Sequence, residues 1–352
     1  MASILNIVSG APSGALNIAL NIADYLGKYY KSEVLLRKYN RAGIDNVIVV
    51  KDRFTIDYIW GLCRYLERQR PDLIIVHGYS THLWTKIAAA LKRVPLIHVE
   101  HNTEKYTPLR QLLLRWLDRY TNIYICVSQG VAAHLIARGA DAKKVKVIYN
   151  GVAAEQFQVK KIPHGDCFNI GMTARFSRQK DQLTLIRAVE YLYHDRKLPV
   201  RLILQGNGKY KQRCIDYVAR QKLQEVVTFA TGPIIGLLPQ LDLFVLATHC
   251  EGLPLVICEA MAAGLPVIAS DVPGVAEIIE HGKNGWLVPE GNFKALAEQI
   301  EMCYSQSRLP GVHKVAETGS QTVLTQFSID KMRKSYKEVI DGLLKSSIKP
   351  DG

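Results

Sequence analysis

Short apolar runs alternate along this chain with segments whose apolar positions recur every three or four residues, and the alternation runs through twice. In the first half, ILNIV, EVLL, NVIVV, DLIIVHG, PLIHVEH, IYICVS and VKVIYNG read as buried strands. A Gly/Ser loop at 9–14 leads into a helix-like LNIALNIADYL, and amphipathic segments follow near 55–69, 83–92, 108–120 and 129–138. In the second half, FNIGMTA, RLILQG, VVTFA, LFVLAT, PVIAS and GWLVP alternate with helices expected near 181–195, 209–222, 255–263, 273–280 and 292–304. Strand–helix alternation of this kind predicts parallel sheets joined by right-handed crossovers. The expected fold class is α/β, with two Rossmann-like domains facing each other across a cleft. The boundaries read as 1–152, 153–327 and a final segment 328–352, whose helix at about 328–346 is expected to pack across both domains. A helix-breaking, partly polar stretch at Ala153–Asp166 serves as the linker.

Open parallel sheets bind ligands beyond the carboxyl ends of their strands. That rule selects seven loops: 9–14, 77–82, 98–105, 174–180, 205–209, 231–236 and 249–256.

Composition changes the picture only in part. A length of 352 residues suits two domains, and 48% hydrophobic with 22% charged residues suits globular cores. No apolar run approaches the ~18–20 residues needed to cross a bilayer. The start, MASILNIVSG, has no basic region and no long apolar core, so no secretory signal is expected. Cys63, Cys126, Cys167, Cys214, Cys250, Cys258 and Cys303 are odd in number, dispersed and without a CxxC pair. Neither a zinc site nor a disulfide framework is expected, and a reducing cytoplasm is. The charge is uneven. Residues 1–152 carry 21 Lys and Arg against 11 Asp and Glu, the remainder 24 against 21. The first half therefore suits an anionic partner: a phospholipid surface, a pyrophosphate-linked acceptor or nucleic acid. No recognisable nucleic-acid module accompanies the charge.

The chemistry concentrates in HCEGLPLVICEAMAAGLPVIAS. Glu251 follows an apolar strand, Gly252-Leu253-Pro254 reads as a tight turn, and Glu259 lies about one turn inside the following helix. A carboxylate before a helix start and another within it can grip hydroxyls, while the free N–H groups of the first turn face an anion. Hydroxyls at both ends and phosphates between them describe a nucleotide sugar. In TARFSRQKD, Arg175 and Lys180 stand five positions apart between a strand and a helix. A planar fork and a point charge suit a diphosphate and would stabilise it as a leaving group. Gly206-Asn207-Gly208 is a weak signal: the full dinucleotide fingerprint and its downstream acid are missing, so it is either a plain turn or a backbone approach to nucleotide. Ser9–Gly14 opens a helix and could place backbone N–H groups on a phosphate, Gly14 foremost. His77 and His101 end strands, His82 lies nearby, and His98 sits within a strand as a core histidine. No third ligand with coherent spacing completes a metal site. The segment 107–120 places Leu109, Leu113, Trp116 and Leu117 on one face and Arg110, Arg115 and Arg119 elsewhere. That pattern suits either a core-facing helix or one lying on an anionic membrane.

Together these motifs resemble the family 4 retaining glycosyltransferases of GT-B fold, most clearly from about 146 to 290. VIYNGV is similar to the family's interdomain Asn-Gly element. TARFSRQKD is similar to its phosphate motif, with Ala174 and Asp181 in place of glycines, and EGLPLVICEAMAAGLPVIASDVPGVAEII to its paired-glutamate motif. The resemblance implies that Glu251 contacts donor-sugar hydroxyls, that Glu259 binds ribose and that Arg175 and Lys180 bind the diphosphate. It also implies that the N–H groups of Leu255 and Val256 support the phosphate, Gly14 reaches it from the first domain, and His101 stands beside sugar and acceptor. Leu253 and Gly206, in the loops after their strands, are further candidate donor contacts. Two departures stand out: Ser13-Gly14 replaces a double glycine, and Pro254, which has no N–H, replaces a glycine.

The expected activity is transfer of a sugar from a UDP-sugar, or next a GDP-mannose, to a hydroxyl acceptor, with retention and without metal or other cofactor. The acceptor is expected to be a lipid-linked saccharide of a surface polysaccharide, at the inner face of the plasma membrane. Two rivals are a GT-B-type nucleotide-sugar epimerase and a non-catalytic nucleotide-sugar-binding protein. A nicotinamide dehydrogenase fits least, because the fingerprint is missing.

Overall fold

A computed structural model describes residues 1–11, 13–37, 40, 43–45, 47–50, 55–103, 107–162, 165–307 and 309–347. Pro12 of the 9–14 loop, Asn46 at the start of NVIVV, Glu104 and Lys105 of the 98–105 loop, Pro163 and His164 of the linker, and residues 348–352 lie outside that set. The chain divides into two units, residues 1–150 with 330–352 and residues 151–329.

The first unit contains β1 (Ser3–Ser9), α1 (Gly14–Leu26), β2 (Lys31–Arg37), β3 (Ile48–Val50), α2 (Thr55–Gln69), β4 (Leu73–His77), α3 (Tyr79–Lys92), β5 (Leu96–Glu100), α4 (Pro108–Leu117), β6 (Ile123–Cys126), α5 (Gln129–Ala137) and β7 (Val145–Val147). Its sheet is parallel, in the order β3-β2-β1-β4-β5-β6-β7. β4 and β5 are buried along their whole length, as expected of strands covered by helices on both faces. The second unit contains β8 (Phe168–Thr173), α6 (Gln182–His194), β9 (Val200–Gln205), α7 (Lys211–Arg220), β10 (Val227–Ala230), β11 (Leu243–Leu246), α8 (Leu255–Ala262), β12 (Val267–Ser270), α9 (Pro273–Ala276), β13 (Trp286–Val288), α10 (Phe293–Ser305) and α11 (Pro310–Gln326). Its parallel sheet runs β10-β9-β8-β11-β12-β13. The final helix, α12 (Ile329–Ser347), belongs almost entirely to the first unit, where Arg333 donates to Asn21 at 2.9 Å and Tyr30 donates to Asp341.

Both sheets are the twice-wound parallel sheets that the alternation predicts. Each reverses its winding once, between β1 and β4 in the first and between β8 and β11 in the second. The chain enters the second unit at Gly151, where an added Cβ would lie 2.4 Å from the Ser328 carbonyl oxygen, so this position of VIYNGV has no room for a side chain.

Three helices differ from expectation. α11 has no counterpart in the sequence reading: Pro310, Gly311, Gly319 and a run of Thr and Val give it weak intrinsic helicity. Packing supplies the deficit. α11 lies against α8, and Gly319 is needed because a Cβ there would meet the Asn284 carbonyl oxygen at 2.9 Å. α9 stops after four residues, short of the expected 273–280. In α4, Leu117 is buried, but Leu109, Leu113 and Trp116 from the same expected face are exposed, and so is Leu112. All seven cysteines are free, and no described helix is long and apolar enough to cross a membrane.

Candidate active site

β8 and β11 are neighbours, with Ile170 opposite Leu243 and Gly171 opposite Phe244. Their following loops, 174–181 and 247–254, therefore leave the sheet side by side at its reversal point, where such sheets bind ligands. Backbone hydrogen bonds lace the two together. The Asp181 N–H donates to the Ala247 carbonyl at 3.0 Å, the His249 N–H to the Gln179 carbonyl at 2.9 Å, and the Thr248 hydroxyl to the same carbonyl at 3.1 Å. Lys180 bridges to Thr248, and the Gln179 amide donates to the Cys250 carbonyl. The result is an ion pair between Lys180 Nζ and Glu251 Oε1, both shielded from solvent, across 71 residues of sequence.

Each loop ends in a helix start that explains its sequence. Asp181 caps α6, its carboxylate accepting from the Thr184 N–H at 3.2 Å. Pro254 caps α8 with extended backbone, φ −78° and ψ 100°. A cap residue needs no intrahelical N–H, so proline costs the helix nothing there. Leu255 and Val256 follow as the first helical residues, with N–H groups that have no intrahelical acceptor. Leu253 is buried in the turn. Glu259 lies one turn further along α8, half-buried, and burial raises its carboxyl pKa to about 7. No cation or hydrogen-bond donor among the described residues offsets that burial.

Arg175 is exposed, and its backbone is held from behind. The Phe176 N–H donates to the Asn207 carbonyl and the Ala174 N–H to the Gln205 carbonyl, both at 3.0 Å. The two loops touch so closely that a Cβ on Gly206 would lie 2.2 Å from the Ala174 carbonyl oxygen, and one on Gly208 equally near that of Phe176. Both glycines hold positive φ, 143° and 149°. The glycine pair thus serves backbone-to-backbone contact behind Arg175. Two supports were not singled out from sequence. Gly274 of α9 lets its backbone pass against Glu251 and Gly252, whose carbonyl oxygens would lie 2.5 and 2.4 Å from an added Cβ. His249 pairs with Glu290 at 2.6 Å and Asp181 at 3.5 Å, tying the loop after β11 to the start of α6.

In the first unit, Gly14 opens α1 with nothing within 4 Å of where its Cβ would be, and Ser13 caps the helix by accepting from the Leu16 N–H at 3.2 Å. His101 follows β5 and stacks on His77, with Nε2 3.2 Å from His77 Nδ1. Burial lowers its pKa to about 4 and holds that of His77 well below 6.5, favouring neutral imidazoles at both positions.

His98 is buried as expected, yet only half satisfied. Nε2 meets His82 Nδ1 at 2.9 Å and Glu100 Oε2 at 3.2 Å, whereas Nδ1 has no hydrogen-bond partner among the described residues. Glu100 supplies the third ligand that linear spacing did not reveal: it stands two positions after His98, on the same face of β5. The three ligand atoms lie within 4.8 Å of one another and could hold a metal, although Lys86 close by opposes a further cation.

Comparison with known proteins agrees with this architecture. A profile described as Glycosyl transferases group 1 matches residues 167–306, and one described as Glycosyltransferase Family 4 matches residues 18–156. The amylovoran biosynthesis glycosyltransferase AmsK of Erwinia amylovora is 31% identical over 46% of this chain and 42% of its own. The UDP-Gal:alpha-D-GlcNAc-diphosphoundecaprenol alpha-1,3-galactosyltransferase of Escherichia coli is 26% identical over 69% of this chain and 68% of its own. The chain spans about half the length of the first curated relatives it matches. Among solved structures, Anabaena HepE in complex with UDP superposes with a TM-score of 0.85 at 23% identity, over 97% of this chain and all of that one. The two sheets are those of the GT-B fold. On its sequence and its fold, this chain belongs to glycosyltransferase family 4.

Proposed function

We propose that the chain transfers a sugar from a nucleotide-sugar donor to a hydroxyl acceptor with retention of anomeric configuration. The donor is a UDP-sugar before GDP-mannose. The acceptor is a lipid-linked saccharide in lipopolysaccharide, capsule or exopolysaccharide synthesis, met at the membrane by a peripheral protein. The observation that carries this reading is the partly buried pairing of Lys180 with Glu251 at the reversal point of the second sheet, on loops that also carry Arg175 and lead to the start of α8.

In this reading Arg175 and Lys180 take the diphosphate, the Leu255 and Val256 N–H groups add dipoles, and Glu259 accepts from the ribose hydroxyls. Glu251 accepts from the transferred sugar, and His101, neutral, lies beside sugar and acceptor. The bond from the anomeric carbon to the phosphate oxygen breaks first, leaving the electron pair on the diphosphate. A new carbon–oxygen bond forms to the acceptor on the same face, and the acceptor's proton passes to the departing phosphate oxygen. The guanidinium and ammonium supply the charge compensation, so no metal is required of the mechanism. The galactosyltransferase relative, named for UDP-galactose as donor and a diphosphoundecaprenol-linked sugar as acceptor, favours this choice of substrates, and so does UDP in the HepE complex.

Calorimetry with UDP-glucose, UDP-galactose, UDP-N-acetylglucosamine and GDP-mannose tests it. A UDP-sugar should bind most tightly, and Arg175→Ala should weaken UDP by roughly tenfold or more. Glu251→Gln should keep UDP binding and lose transfer. Undiminished UDP affinity in both Arg175→Ala and Lys180→Ala would refute the assignment.

A further inference from the structure

α4 is mounted with its apolar side outward. Leu109, Leu112, Leu113 and Trp116 recur at helical spacing on one face and are 69, 66, 39 and 57% exposed. Tyr120, just past the helix, continues the face at 39%. The opposite side of α4, with Gln111 and Leu114, lines a cavity floored by buried Lys86 and His98. Arg119 stacks on both aromatic rings, 4.3 Å from the Trp116 centroid and 5.0 Å from that of Tyr120. Arg115 lies against Gly139 beside Arg138, and Lys144 donates to the Asp118 carbonyl at 3.0 Å. Five large apolar side chains are thus accompanied on the same helical segment by two exposed arginines, Arg115 and Arg119, the latter stacked on two of them. Asp118, which directly follows the helix, already accepts from Tyr124.

We infer that this face seats the protein on an anionic lipid surface, α4 lying in the plane of the interface. Apolar side chains would enter the boundary between headgroups and acyl chains, while the cations meet lipid phosphates. Tryptophan and tyrosine suit that depth, having one apolar end and one polar. Charge decides the occupant. A second copy docked face to face would set the Arg115 and Arg119 charges against their own copies, whereas an anionic bilayer complements both the apolar face and its arginines. The inference deepens the reading of a lipid-linked acceptor, because it would hold the enzyme where such an acceptor lies.

Flotation with vesicles of phosphatidylcholine alone, and with phosphatidylglycerol added, tests it on the full chain. Binding should require phosphatidylglycerol and fall with salt. The doubly substituted Leu112→Ser, Trp116→Ser protein should lose roughly tenfold or more in partitioning, and Arg119→Glu should lose binding chiefly at low salt. All three residues are exposed, so melting temperature and UDP affinity should stay unchanged, which separates this inference from the donor assignment. Undiminished flotation of the double variant would overturn it, as would equal binding to neutral vesicles. A wild-type dimer that the double variant turns into a monomer would instead assign the face to self-association.

Discussion

At the scale of single residues, two of the positions where this chain departs from the family's glycines, Ser13 and Asp181, have one explanation. Ser13 and Asp181 each cap the helix that follows, accepting from the N–H three residues on. A side chain that organises the helix start takes a place where the family pattern has flexibility. Glu259 shows the opposite case, a half-buried carboxylate with nothing among the described residues to offset its burial. Its raised pKa, about 7 against an ordinary 4.5, means the folded state holds its proton more tightly. Stability of the ligand-free protein therefore falls as pH rises from 4.5 to about 7. Glu259→Gln should stabilise the fold above about pH 7 by on the order of 1 kcal/mol, seen as a higher melting temperature, and leave it nearly unchanged in acid. It should also weaken UDP while affecting uridine-free diphosphate little. A lower melting temperature at alkaline pH would count against the unpartnered carboxylate. The two glutamates and two cations were legible in sequence because their residue types and spacing state their chemistry. The supports Gly274 and His249 were not, since each acts through a fold contact that linear spacing does not encode.

At the scale of elements, strands were legible almost residue by residue, because a strand buried on both faces has no reason to be polar. Helices depended on context. α11 forms against its own propensity because α8 offers it a surface, and α4 keeps its apolar stripe but turns it away from the core. Periodicity specifies that a stripe exists and leaves open what it meets. The same limit applies to Gly206-Asn207-Gly208, which the sequence reads either as a plain turn or as a backbone approach to nucleotide. In this structure both glycines lie against the Ala174 and Phe176 carbonyls. Gly206→Ala should therefore displace the Arg175 loop, destabilising the fold by about 1–3 kcal/mol and weakening UDP in calorimetry. Gly14→Ala is the matched control: with open space around it and helical neighbours, it should melt like the wild type. Equal behaviour of the two variants would show that the tight contact does not hold the loop.

At the scale of the whole molecule, topology gathers the chemistry. Lys180 and Glu251 meet because β11 pairs with β8, an adjacency that no local pattern announces but that a doubly wound sheet makes probable at its reversal. The two units also differ in their buried ionisable groups, so pH should act on them with opposite sign. In the second unit Glu259 is easier to accommodate when protonated. In the first, His77, His82, His98 and His101 are all held neutral by burial, with pKa lowered from 6.5, to about 4 for His101. An unfolded chain takes up those protons near pH 6.5 and the folded one resists, so their contribution is complete above 6.5 and is lost as pH falls toward 4. Acid should therefore loosen the first unit before the second. Hydrogen exchange followed by mass spectrometry, corrected for the intrinsic pH dependence, should show β4 and β5 losing protection between about pH 6.5 and 5 while β8 and β11 keep theirs. Such a state would retain UDP affinity, because Arg175, Lys180, Glu251 and Glu259 all belong to residues 151–329, yet fail in transfer, for which the proposal requires His101. Uniform loss of protection across both sheets would mean that the histidine cluster does not govern the acid response.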